Sequence, residues 1–175
     1  LHPTNRRQRQ MCIRDSIDTP GAYPGIESEE RGMSEAIAKN LSLLSNLKTA
    51  VIVIITGEGG SGGALAIGIG DHVCMLEHSI YAVASPEACA SIVWRDGSKA
   101  KDAAEAMKVD ASNLRNLGLV DEVIEEPLGG AHRDIRGVSN SISHVIEKKL
   151  QTFDEVDISD LLKKRYEKIM SYGSI

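Results

Sequence analysis

The sequence predicts an α/β domain built around a parallel sheet, and three features carry that expectation. Met33, Ile37, Leu41, Leu44 and Leu47 recur at helical spacing. A continuous, mostly β-branched run at 50–55 follows closely, the pattern of a strand buried on both faces. Gly57-Glu58-Gly59-Gly60-Ser61-Gly62-Gly63 then leads into Ala64-Leu65-Ala66-Ile67, a good helical start. Helix, buried strand, glycine loop and helix in this order are what a parallel sheet with covering helices requires.

The elements follow in order. IDTPG at 17–21 reads as the end of a strand that turns into a loop at Pro20 and Gly21. Ser28 ahead of Glu29 and Glu30 reads as an N-cap with first-turn acids, so one helix is expected over 28–47. Short strands are expected at 72–76 and 79–84. Ser85-Pro86-Glu87 opens another helix with a cap and a proline at its first position. Further helices are expected over 99–107 and 111–116, a strand over 119–125 where apolar and acidic residues alternate, a loop over 127–133 and a helix over 139–150. Ile158, Leu161, Leu162, Arg165 and Ile169 put a mainly apolar stripe on a last helix, suited to packing on the body or on a partner. No internal repeat is visible.

Composition narrows the function classes. A chain of 175 residues with 42% apolar content can bury the core of one domain. Its longest apolar run is far shorter than the ~20 residues a membrane helix needs. Cys12, Cys74 and Cys89 are neither closely spaced nor even in number, so neither a disulfide framework nor a metal site is expected. A reducing cytoplasm fits that cysteine usage. A net charge of -5 and the lack of a basic cluster beyond residue 16 argue against nucleic acid as a partner.

Residues 1–16 stand apart from the rest. LHPTNRRQRQMCIRDS carries four arginines against Asp15 and has no apolar period. An Arg-rich, acid-poor stretch can be an organellar presequence. The favoured reading is translated sequencing-adapter sequence, disordered and outside the domain, which then occupies 17–175.

The glycine loop is where chemistry is expected. Five glycines in seven positions cost more backbone entropy than a simple turn justifies. At a strand-to-helix junction the N–H groups of Gly62 and Gly63 would be free donors, suited to a developing negative charge. A glycine-rich turn that permits close helix packing explains the same residues. A phosphate loop does not, because Ala64 and Leu65 stand where Lys and Ser or Thr are needed. Gly59-Gly60-Ser61-Gly62-Gly63 matches the G-x-S-x-G elbow of serine hydrolases, which makes Ser61 a candidate nucleophile. Against that, His72, His78, His132 and His144 offer no distinctive partner, and a helix cap is the plainer role for Ser61.

Several motifs together are more specific than the loop alone. IDTPGAYPG (17–25), EERG (29–32), GEGGSGGALAIGIGD (57–71), SPEACASI (85–92), EPLGGAHR (126–133) and MSYG (170–173) resemble, in order, the carboxyltransferase alpha subunit of multi-subunit acetyl-CoA carboxylase. More remotely, Gly62-Gly63, Pro86-Glu87 and Gly118-Leu119-Val120 resemble the crotonases. The resemblance implies a crotonase-like spiral of ββα units, incomplete at its N-terminal side. It also implies transfer of a carboxyl group from carboxybiotin, on biotin carboxyl carrier protein, to acetyl-CoA, giving malonyl-CoA for fatty acid biosynthesis. The implied partners are a zinc-containing beta subunit in an alpha2beta2 heterotetramer, the carrier protein and an ATP-using biotin carboxylase. The implied setting is a bacterial cytoplasm, or a plastid.

Within that reading Gly62 and Gly63 would steady the oxyanion left on biotin, whose nitrogen would then take the acetyl proton, so no protein base is needed. Gly59 and Gly60 would shape the same turn, and Gly21 and Ala22 would line the other side of the pocket. Glu87 stands where many crotonase-like enzymes carry an acid, although a first-turn Glu after a Ser-Pro cap explains it too. His132 and Arg133 could meet a carboxylate or phosphate, or rest in a solvated loop. Cys74 and Cys89 are expected as small core hydrophobes, the zinc of this enzyme class lying in the beta subunit. The family's subunit carries early sheet units that this chain lacks, which predicts an exposed sheet edge and aggregation. A remnant that binds the beta subunit without catalysis is therefore the second hypothesis.

Overall fold

A computed structural model of the chain describes residues 12–173. Five strands form one parallel sheet: β1 (Cys12–Thr19), β2 (Ala50–Gly60), β3 (His72–Leu76), β4 (Ile80–Ala82) and β5 (Glu122–Ile124). The order is β1-β2-β3-β5, and β4 pairs with the far end of β2. Among the described residues eight α-helices accompany it: α1 (Ile26–Glu30), α2 (Met33–Ser45), α3 (Ser61–Leu65), α4 (Pro86–Trp94), α5 (Ala100–Met107), α6 (Ala111–Asn116), α7 (Ile135–Asp154) and α8 (Ile158–Ser171).

The doubly buried character expected of 50–55 is realised by two cores. Val51, Val53 and Ile55 point to one side, where they pack with Ile17, Val73, Met75, Ala111, Leu114 and Val120. Ile52 and Ile54 point to the other, against Cys74, Leu76 and Ile124 and the inner face of α7 at Val138, Val145 and Ile146. The two-residue side-chain period of the strand makes this division.

The start of β2 is pinned by a buried ion pair. Arg165 on α8 is 1% exposed and donates from Nε and Nη2 to Asp71 at 2.9 and 2.6 Å. Its remaining donors reach the carbonyls of Leu44, Leu47 and Thr49, where α2 ends and β2 begins. Asp71 Oδ2 also accepts from the N–H of Val51. Every lobe of a buried guanidinium is thus satisfied, the condition under which burying it is tolerable. The expected apolar stripe on the last helix is therefore interrupted by a charge that the fold uses as a clamp.

Four expectations need correction. The strand expected to end at 55 runs on to Gly60, because the glycine segment pairs with β1 and, at Glu58–Ile80, Gly59–Tyr81 and Gly60–Ala82, with β4. The single helix over 28–47 is two helices, broken where Gly32 takes a left-handed conformation (φ 76°) that only glycine adopts readily. Gly25 rather than Ser28 is the N-cap of the first. The disorder expected for 1–16 does not hold for Cys12–Ser16, which pair in register with Ala50–Ile54. A free parallel edge accepts any extended segment with an apolar residue on the core side, here Ile13 and Ile17. Residues 1–11 lie outside the described residues. Elsewhere the differences are of boundary: 79–84 shortens to β4, 119–125 to β5, and 139–150 lengthens to α7.

Candidate active site

Two turns press together at the C-terminal end of β1 and β2. Past Thr19 the chain swings through Pro20 and Gly21, where Gly21 sits at φ 134° and donates its N–H to Thr19 Oγ1. Asp18 braces the turn by accepting the N–H of Glu58 at 3.0 Å, and Thr56 Oγ1 donates to the carbonyl of Ile17. A side chain at Gly60 would put its Cβ 2.1 Å from the carbonyl oxygen of Pro20. One at Gly63 would sit 2.8 Å from the N of Ala22 and from the carbonyl carbon of Gly21. One at Gly59 would meet the Tyr81 ring at 2.8 Å. Backbone approach therefore requires glycine at 60 and 63, and the Tyr81 ring requires it at 59. Gly21 and Ala22 lie against Gly60 and Gly63, but neither they nor Gly59, Gly60 and Gly63 are among the residues that line the pocket walled by Ser61 and Gly62.

Gly62 differs. Its nearest neighbour for an added Cβ is Ile37 Cδ1 at an ordinary 3.5 Å. Gly62 and Gly63 are the second and third residues of α3, whose N–H groups have no carbonyl one turn back within the helix. Ser61 opens that helix with φ 46°, a left-handed conformation unusual for serine. Gly60, not Ser61, occupies the cap position. The expected cap role of Ser61 is thus corrected: the tight approach of Gly60 to Pro20 fixes the chain one residue earlier.

Ser61 and Gly62 form one wall of a pocket of ≈ 740 Å³. Leu41, Ser42 and Ser45 on α2, Gly68 to Gly70, Tyr81 on β4, Leu114 on α6, and Ile169 and Tyr172 at the end of α8 complete most of it. No residue lining it is His, Asp or Glu. The serine-hydrolase arrangement therefore lacks its base among the described residues around Ser61. Two phenols face the cavity instead. Burial raises the pKa of Tyr81, and that of Tyr172 is pushed up to about 12 by burial first and then by the charges of Asp121 and Tyr81. Both are held as neutral hydroxyls, able to donate. Neither was named as a candidate from sequence, although the MSYG motif contained Tyr172.

The remaining candidates lie elsewhere. Glu87 is exposed in the first turn of α4, where Ser85 Oγ accepts the N–H of Ala88, and it does not line the pocket. His132 and Arg133 are exposed on a short 3-10 turn steadied by the Ala131 N–H on Glu126. Cys74 is fully buried, whereas Cys89 is only partly so.

Comparison with known proteins fits this geometry. Residues 7–173 match the family described as acetyl co-enzyme A carboxylase carboxyltransferase-like. A relative from Vibrio cholerae, the acetyl-coenzyme A carboxylase carboxyl transferase subunit alpha, is 57% identical over 163 residues, covering 93% of this chain and 51% of the relative. The chain thus spans about half the length of the curated relatives it matches. Among solved structures, a Pseudomonas malonate decarboxylase hetero-tetramer in complex with coenzyme A superposes with a TM-score of 0.69 at 18% identity, over 88% of this chain and 60% of that one. An enoyl-CoA hydratase/isomerase from Marinobacter aquaeolei superposes with a TM-score of 0.52 at 16% identity, over 88% and 57%. These likenesses establish the crotonase-like fold. With its family motifs in order and its two turns locked together, the chain belongs to the acetyl co-enzyme A carboxylase carboxyltransferase-like family.

Proposed function

We propose that this chain is the catalytic half-site of an alpha subunit that moves a carboxyl group from carboxybiotin to acetyl-CoA, forming malonyl-CoA together with a beta subunit. The observation that carries the reading is the position of Gly62 and Gly63: two main-chain N–H groups in the first turn of α3, with no carbonyl one turn back in the helix, Gly62 itself lining a largely apolar pocket free of carboxylates and imidazoles. Such a pocket fits a neutral bicyclic urea on a long tether better than it fits a charged substrate.

Biotin borne by a carrier protein supplies the labile carboxyl group and, once that is released, the basic nitrogen. This chain's residues hold charge in place. Donors fixed by a rigid turn stabilise an oxyanion without reorganising, and each is worth about 2.7 to 4 kcal/mol at a water-poor site. Pro20, Gly21 and Ala22 hold the turn from behind, so the donors cannot relax. Tyr81 and Tyr172, kept protonated, can orient a polar edge of the ligand without competing for its proton. Glu87 is left outside this scheme.

Gly62→Leu in the complete subunit, assembled with its beta partner, should fill the wall of the pocket and lower malonyl-CoA formation by at least about tenfold, about 1.4 kcal/mol of barrier, with the fold retained. Ser61→Ala should retain turnover close to the parent. Unchanged turnover in Gly62→Leu would remove the assignment, and loss of activity confined to Ser61→Ala would favour the nucleophile. The 175-residue chain itself should be tested for capture of the beta subunit, where binding without malonyl-CoA formation would identify a non-catalytic remnant.

A further inference from the structure

A second cluster of chemistry lies on the opposite side of the sheet from the pocket. His72 and Cys74 are two residues apart on β3 and so share one face. Glu122 on β5 is the direct neighbour of Cys74 across the parallel pair. One ligating atom from each of His72, Cys74 and Glu122 lies within 4.8 Å of the other two. His72 is 6% and Cys74 0% exposed, while the Glu122 side chain is 29% exposed and gives the cluster its opening to solvent.

We propose that His72, Cys74 and Glu122 form a binding site for a divalent transition metal of the zinc type, stapling β3 to β5 beneath α7. Imidazole, thiolate and carboxylate together are a donor set that suits zinc or cobalt(II) and not magnesium or calcium. At ordinary bond lengths a tetrahedral ion holds its ligand atoms roughly 3 to 4 Å apart. His72 Nε2 and Glu122 Oε2 are already 3.0 Å apart. The far nitrogen, Nδ1, has Asp121 Oδ2 at 3.6 Å, the outer carboxylate that commonly orients a ligating histidine. Asp121 is itself held by the N–H of Val73 at 2.6 Å and by the ammonium of Lys168.

Binding exchanges the Cys74 S–H bond for a metal–sulfur bond and releases the proton to solvent, so the doubly charged ion is neutralised by one thiolate and one carboxylate. Lys149 and Lys168 face the cluster from α7 and α8, and Asp121, paired with Lys168, offsets one of them. Sequence spacing gave no hint of such a site, because two of its ligands sit in an x-V-x alternation and the third far along the chain.

The test is cobalt(II) titration of the tag-free, metal-free 175-residue chain carrying Cys12→Ser and Cys89→Ser, read by absorbance. One equivalent should bind with a thiolate-to-cobalt charge-transfer band, and zinc should abolish the band by competition. Cys74→Ala should lose it. Glu122→Gln, on a partly exposed position that the fold tolerates, should weaken cobalt binding at least about tenfold, a loss of the size reported for altered metal shells. Absence of the band at saturating cobalt overturns the proposal. So does an unchanged affinity in Glu122→Gln, whatever the folding of the Cys74 variant. The outcome is independent of the carboxyltransferase reading, since no residue of the pocket is altered.

Discussion

The two halves of β2 solve opposite problems. From Ala50 to Ile55 every side chain is buried and the strand is fixed by what it carries, with alternate residues committed to separate cores. From Gly57 to Gly60 it is fixed by what is missing, since Asp18, Tyr81 and the Pro20 carbonyl occupy the space that side chains would need at Gly57, Gly59 and Gly60. The apolar half tolerates a change of shape by leaving a cavity. The glycine half has no such latitude, because an added side chain would have to displace the Asp18 carboxylate, the Tyr81 ring or the Pro20 backbone.

Three measurements sharpen that contrast. The largest effect is expected where the apolar half is anchored: Asp71→Ala strips Arg165 of its counter-charge and Val51 of its acceptor, and breaking a buried pair in this way costs about 3 to 5 kcal/mol. Chemical denaturation should show it as a lower midpoint with little change in slope, and a loss under about 1 kcal/mol would mean that the clamp is incidental. A smaller effect of about 1 to 3 kcal/mol is expected for Gly60→Ala, which drives a methyl group into the Pro20 carbonyl. Gly62→Ala, whose added methyl would make only an ordinary 3.5 Å contact with Ile37 and which has better helix propensity, should leave stability within about 1 kcal/mol. Equal losses at Gly60 and Gly62 would show that the turn is soft rather than locked.

The smallest effect concerns alkaline pH. Tyr81 pairs with Gly59 on the glycine half, and Tyr172 closes the same pocket. Their pKa values are raised above the ordinary 10.0, that of Tyr172 to about 12. A raised phenol favours the folded state below the unfolded pKa, and that contribution is lost as pH rises through the folded value. The melting temperature should therefore fall between pH 10 and about 12, less steeply in Tyr172→Phe than in the parent. Parallel curves for the two proteins would place the Tyr172 hydroxyl in water.

Much of this was legible from residue patterns because the signals were local. A β-branched run announces a doubly buried strand, Ser85-Pro86 announces a helix start, and both are found where expected. Gly62 and Gly63 stood out because glycine density is itself unusual. Other features had no local signal. Nothing near Arg165 indicates that it will be satisfied by Asp71 and three carbonyls at the other end of the chain, so a stripe of apolar residues absorbed it. Ser28 looked like a cap, but the left-handed turn at Gly32 reset both helices.

By itself the sequence determined the fold class and the family and singled out the glycine turn, since hydrophobic period, β-branching and glycine content are properties of neighbours along the chain. Only the tertiary structure decided which glycines are obligatory, which residues wall the pocket and that His72, Cys74 and Glu122 converge. Those outcomes depend on strand register and backbone approach between distant segments, and no local pattern encodes a distance across a sheet.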